Sequence, residues 1–155
     1  MQDQLQEWIN YIQQPGRLGN NPICPFAAKA VKQKRVSMTA LTSIEDLEML
    51  IEEVDVTKFD VSIFYFEKYT EYTVEELEQR IKELNFRFKS KDKVILDNDP
   101  RNPFTVNGHQ TTFDRCYLYV VQSLSDLTQA SNRLKMGDYY SYWTQAQYDE
   151  VVGWR

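Results

Sequence analysis

Chemistry-bearing side chains gather in two proline-containing stretches of this 155-residue chain. The later stretch, residues 97–115, reads Asp97-Asn98-Asp99-Pro100-Arg101-Asn102-Pro103-Phe104, then Asn107-Gly108-His109, then Asp114-Arg115. It holds the chain's only histidine. His109 can give or take a proton near neutral pH. Arg101 and Arg115 can each grip a carboxylate or phosphate through two parallel N–H groups, with the Asn102 amide beside them. Asp99 can orient a base, or join Asp97 around a hard cation. The oxygen-ligand spacing of a calcium loop fails at Arg101 and Asn102, so no metal is assigned. A solvated turn rich in Asp, Asn and Pro has the same composition, and both readings stand.

The earlier stretch, Asn21-Pro22-Ile23-Cys24-Pro25-Phe26, places Cys24 at the mouth of a helix that Pro25 is suited to start. A helix N-terminus favours the thiolate and so makes Cys24 a candidate nucleophile. The alternative is a small buried hydrophobe. Ala27 stands where a dithiol motif would carry its second cysteine, so dithiol chemistry is not expected. Cys24 and Cys116 are the only cysteines and lie far apart in sequence. With His109 they are one ligand short of a structural zinc site, and with no export signal apparent they read as reduced thiols in a cytoplasmic protein.

Composition narrows the function classes. Eighteen basic against 23 acidic residues give a net charge of −5, which disfavours a nucleic-acid or membrane-surface partner. Local basic clusters remain at Lys29, Lys32, Lys34 and Arg35, and at Arg87, Lys89, Lys91 and Lys93. No apolar run approaches the 18 or so residues of a membrane span. No glycine-rich phosphate loop, nucleophile elbow or HExxH pattern names a cofactor or a reaction.

The elements that must position these groups follow from periodicity and capping. Leu5, Trp8, Ile9 and Ile12 share a helical face over residues 3–14, and Pro15-Gly16 ends it. Residues 36–41 and 60–67 read as strands, the second apolar on both faces and therefore central. Capping boxes are expected at Ser43/Asp46, Thr73/Glu76, Ser123/Asp126 and Thr144/Gln147, opening helices over about 44–54, 73–84, 124–135 and a short last turn. Phe86 and Phe88 alternate with Arg87 and Lys89, which predicts a strand, a tight turn near Lys91-Asp92 and a second strand to Leu96. One longer helix followed by a single strand is the alternative. Asn107-Gly108 predicts a hairpin, and residues 116–121 a buried strand.

These elements predict one α+β domain over 1–155, an α/β sandwich. Its mixed sheet has four to five strands, with helices mainly on one face. An N-terminal helix and Cys-Pro loop fill 1–35, the core 36–137, and an aromatic tail 138–155. Two functions are compatible with this. One is a binding protein or enzyme for a small anionic metabolite, its pocket between the Cys24 loop and the 97–115 loop. Cys24, His109 and Asp99 are then the candidate catalytic residues, and Arg101, Arg115 and Asn102 the ligand contacts. The other is a non-catalytic interaction module or homo-oligomer using Tyr139, Tyr140, Tyr142, Trp143 and Tyr148 of the tail.

Trp8, the segment Ile23-Cys24-Pro25-Phe26-Ala27, and the strand and helix that follow have an order similar to that of a bacterial family of small proteins. That family carries a tryptophan-bearing first helix and a Leu-Cys-Pro-Phe-Ala segment. Asp99-Pro100 and Phe104 resemble its His-Pro-Asp…Phe stretch, with Asn98 and Asp99 where the family carries histidine. The segment from Leu118 to Leu134 resembles its last strand and helix. The resemblance implies a shared fold and a site near these two loops, and it implies no activity.

Overall fold

The computed structural model describes residues 1–66 and 71–155. Helix α1 (Gln2–Ile12) buries Leu5, Ile9 and Ile12. Helix α2 (Pro25–Lys32) starts on its proline, with Cys24 as the N-cap residue. Between them, Gly19 holds a left-handed φ of +60°, and a Cβ there would come 2.5 Å from the Tyr142 hydroxyl. Strand β1 (Val36–Leu41), helix α3 (Glu45–Glu53), strand β2 (Val61–Phe66), helix α4 (Val74–Phe88) and strand β3 (Lys93–Asn98) follow. The β4 (Thr105–Val106) and β5 (His109–Gln110) hairpin precedes β6 (Leu118–Ser123), α5 (Leu124–Lys135) and α6 (Gln145–Tyr148).

The four long strands form a mixed sheet in the order β1-β2-β6-β3. β1 and β2 are parallel, from Val36 opposite Val61 to Leu41 opposite Phe66. β6 runs antiparallel to both of its neighbours. The carboxyl ends of β1, β2 and β3 therefore open on one edge of the sheet, the edge where open α/β sheets hold ligands. The small β4–β5 sheet stands apart. This is the α+β fold expected from the sequence. Glu67, the last residue of the expected second strand, lies outside the described residues.

Alternation along β2 divides the core. Phe64 and Phe66 pack with Leu47 and Ile51 of α3, Leu77, Ile81, Leu84 and Phe88 of α4, and Tyr117 and Tyr119. Val61, Ile63 and Tyr65 face Leu5 and Ile9 of α1, Ala30 of α2, Cys116 and Leu118. α3 and α4 thus cover one face and α1 and α2 the other, which corrects the expectation of helices mainly on one face: β2 is apolar on both faces, so each needs a helical cover. The tail closes a third cluster, in which Leu18, Val106 and Tyr139 are buried against Phe104 and Trp143.

The segment 86–89 is helical, which overturns the expected strand and confirms the longer-helix alternative. Leu77, Ile81, Leu84 and Phe88 recur at spacings of four, three and four, so the helical stripe of α4 continues through Phe88. Phe88 is 3% exposed and Phe86 86%; a strand would have pointed both the same way. The turn lies where expected, with Asp92 left-handed at φ 56°. Asp92 accepts hydrogen bonds from the Ser125 N–H and from the Ser123 and Ser125 hydroxyls, tying the start of β3 to α5.

Full capping boxes form at Thr73/Glu76 and Thr144/Gln147, and Ser123 accepts the Asp126 N–H. The Ser43/Asp46 box does not form. The helix begins one residue later, with Ile44 at the cap. Ser43 instead accepts the Glu45 N–H, and Asp46 is held by the Thr42 hydroxyl. Asp97 and Asn98 belong to β3 and not to the loop, and β6 starts at Leu118, two residues later than expected.

Edge strand β3 is covered by a side chain. Asn85 of α4 accepts the Ile95 N–H and donates to the Ile95 carbonyl, both at 2.8 Å. This protects the edge from foreign pairing. Asn85→Ala leaves both groups unpaired, and we expect a loss of about 1–3 kcal/mol in urea unfolding. A loss under about 0.5 kcal/mol would mean that water replaces the amide fully.

Candidate functional site

A cleft of about 370 Å³ lies at the carboxyl-end edge of the sheet, lined by Ile44, Glu45, Tyr72, Glu76, Leu77 and Arg80. Each lining residue is placed by local structure. Ile44 and Glu45 open α3, three and four residues beyond the last residue of β1. Glu76 is the third helical residue of α4 and closes its capping box by accepting the Thr73 N–H at 2.7 Å. Arg80 follows one turn later on the same side of α4. Leu77 reaches into the core and forms the apolar floor.

The polar groups act on one another. The Tyr72 hydroxyl donates to Glu45 Oε1 at 2.8 Å. That bond, helped by the Glu45 N–H and by Arg80, holds the Glu45 carboxyl below the usual carboxylate range. The same bond pushes the Tyr72 phenol up, with Glu76 adding to the effect. Arg80 reaches Glu48 Oε2 at only 3.4 Å, while Arg87 takes Glu48 Oε1 at 2.6 Å. Arg80 therefore commits little of its five-donor fork.

Two of the residues singled out from the sequence stand behind this cleft. Asp99 is 6% exposed. Its carboxylate receives the Arg101 backbone N–H at 2.8 Å and the guanidinium at 3.2 Å to each oxygen. Arg101 in turn donates to the Tyr72 carbonyl at 2.8 Å and to the Tyr117 hydroxyl, and lies 5.0 Å over the Tyr117 ring. A chain of contacts thus runs from Asp99 through Arg101 and Tyr72 to Glu45. Tyr119 lies in the same region, acted on by Asp97, Asp99, Arg101 and Arg80. It is fully buried, and its hydroxyl has no hydrogen-bond partner among the described residues. Burial pushes that phenol far up, so it stays protonated.

The other candidates lie elsewhere. Cys24 is half-buried with Ile12, Ile23 and Ala27, and its N–H caps α1 by donating to the Ile12 carbonyl. Burial pushes its thiol up, against the pull of the Ala27 and Phe26 N–H groups and of Arg155. The helix N-terminus acts in the expected direction, and burial outweighs it. Arg155 is also close to Tyr139, Tyr140 and Tyr148, and donates to the Ser131 hydroxyl at 3.3 Å. His109 sits on the short hairpin opposite Val106. Arg115 is exposed beside Asp114, and Asn102 is exposed, its N–H donating to the Asp99 carbonyl. Among the described residues, no hydrogen bond, ion pair or core cluster joins Cys24 to Asp99, Arg101, Asn102 or Arg115. None gathers three His, Cys, Asp or Glu side chains as a metal would need.

Sequence reasoning missed Glu45, Tyr72, Glu76 and Arg80. One signal was present. Arg80 lies between Leu77 and Ile81 of the buried stripe, so a cation there must emerge at the margin of the core. No protein-family model matches this chain, and no curated protein or solved structure matches it either.

Proposed function

We propose that the protein binds a small molecule bearing a carboxylate or phosphate group in the cleft between α3 and α4. The observation that supports this is the state of Arg80. Arg80 lines the cavity, yet its ion pair is a single 3.4 Å contact to a carboxylate better held by Arg87. An arginine with donors to spare, beside an apolar floor of Ile44 and Leu77, suits an anionic group carried on a small body. The cavity volume falls at the lower end of the range for small-molecule sites. Asp99 and Arg101 act as positioning residues, fixing Tyr72 from behind. No helix among the described residues is long and apolar enough to cross a membrane.

The test is thermal unfolding with inorganic phosphate and a panel of small carboxylic and phosphorylated acids. A ligand at about 100 times its Kd adds about 2.7 kcal/mol of stability. Arg80→Ala is expected to remove that gain, and Arg115→Ala, a substitution at an exposed position away from the cleft, to keep it. Equal stabilisation of the parent and of Arg80→Ala, or no stabilisation by any acid, would refute the proposal.

A further inference from the structure

We infer that the ligand of this cleft also carries an amine, so that the class it belongs to is the amino acids and short amine-bearing carboxylates. This rests on the reading of Arg80 as an anion contact. The argument is a count of charge. Among the described residues, two carboxylates line the cavity, Glu45 and Glu76, against one guanidinium, Arg80. Arg80 makes its ion pair outside that set, with Glu48.

Among the described residues, neither Glu45 nor Glu76 has an ion pair. Their hydrogen bonds come from uncharged donors. Glu45 accepts from the Tyr72 and Ser43 hydroxyls, and Glu76 from the Thr73 N–H. Glu76 Oε2 is the oxygen engaged, and among the described residues Oε1 takes no hydrogen bond. Each carboxylate oxygen accepts more than one bond, so both residues keep acceptor capacity.

A ligand bringing only negative charge would meet repulsion from both of these carboxylates. A ligand bringing an ammonium as well would meet Glu45 and Glu76 with that group and Arg80 with its carboxylate. Tyr72 adds a ring wall suited to a cation, and its position is set by the bond from Arg101 to its carbonyl. Glu76 and Arg80 are one helical turn apart on α4, with Cβ atoms about 5–6 Å from each other, so the carboxylate and the guanidinium are near enough for one small ligand to meet both. Ile44 and Leu77 leave an apolar wall for its side chain.

The experiment is calorimetric titration of the full chain with three sets of probes matched in carbon skeleton. These are α- and β-amino acids, the same acids without the amine, and the same amines without the acid. Amino acids are expected to bind at least tenfold more tightly than either partner set. Glu45→Gln, which keeps an acceptor for Tyr72, is expected to shrink the preference over the plain acids at least fivefold, in part by tightening the binding of the plain acids. Plain acids that bind as tightly as amino acids would overturn the inference and leave the anion site standing. A preference that survives both Glu45→Gln and Glu76→Gln would overturn it too. Failure of all three sets to bind would remove the cleft reading and this inference with it.

Discussion

Asp99→Ala is expected to lower the unfolding free energy by about 2 kcal/mol and to weaken ligand binding in the cleft at least tenfold. The stability loss follows from burial. Asp99 is 6% exposed and carries the only carboxylate in contact with the Arg101 guanidinium among the described residues. Removing it strands a cation and leaves the Arg101 N–H without its 2.8 Å acceptor. A fully buried pair broken this way costs about 3–5 kcal/mol. Here Arg101 keeps 35% side-chain exposure, so solvent screening reduces the loss. The binding loss follows from position. Arg101 holds the Tyr72 carbonyl and Tyr72 holds Glu45, so a loosened guanidinium frees one wall of the cleft. Asp99→Asn keeps an acceptor for the N–H and loses the charge, and should fall between parent and Ala on both measures. Urea unfolding and ligand titration check the two effects separately. Unchanged binding in a destabilised Asp99→Ala would detach Asp99 from the site, and unchanged stability would mean that water satisfies Arg101.

The difference between what could be read and what could not tracks sequence distance. Thr73/Glu76 and Thr144/Gln147 could be read because a capping box closes within four residues. The order of strands and helices, and hence the mixed sheet, followed from such local signals. The segment at 86–89 could not be settled locally, since four residues fit a period of two as well as the end of a 3.6-residue stripe. Only the buried partners of Phe88 decide between them. Asp99 and Arg101 were legible as chemistry but not as a place. Their partners Tyr72 and Tyr117 lie 29 and 16 positions from Arg101, and no spacing rule reaches that far. Arg80 was hidden by resembling an ordinary helix-surface charge, and its meaning came only from the 3.4 Å length of its contact and the cavity beside it. Cys24 shows the reverse case. Its helix N-terminus was correctly located, but part of the hydrocarbon packed around it, which decides the direction of its pKa, is Trp8, Tyr11 and Ile12 of α1.

Lys93→Met should cost about 2–3 kcal/mol, with the chain still folded. Lys93 begins β3 and is 7% exposed, an unusual depth for a lysine. Its ammonium donates to the Ile51 carbonyl at 2.7 Å and to the Glu52 carbonyl at 2.8 Å. These carbonyls belong to the last turn of α3, where the i+4 donors are missing; the Ile51 carbonyl also takes the Val54 N–H at 3.2 Å. The negative end of the helix dipole lies there as well. Burial pulls the ammonium's pKa down and Glu52 pulls it back up. The Phe88 ring lies 5.9 Å from the charge. Methionine keeps the length and apolar stem and loses both donors, so it separates the hydrogen bonds from packing. The Ile51 carbonyl would keep only the Val54 N–H at 3.2 Å and the Glu52 carbonyl would lose its 2.8 Å donor, and each charge-assisted bond of this kind is worth about 1.5–3 kcal/mol. Lys89→Met, at an exposed position four residues earlier, is the control and should change stability by less than about 0.5 kcal/mol. Urea midpoints at constant slope measure both. A Lys93→Met variant as stable as the parent would show that α3 ends without help from β3. The two elements would then be joined by the apolar core alone.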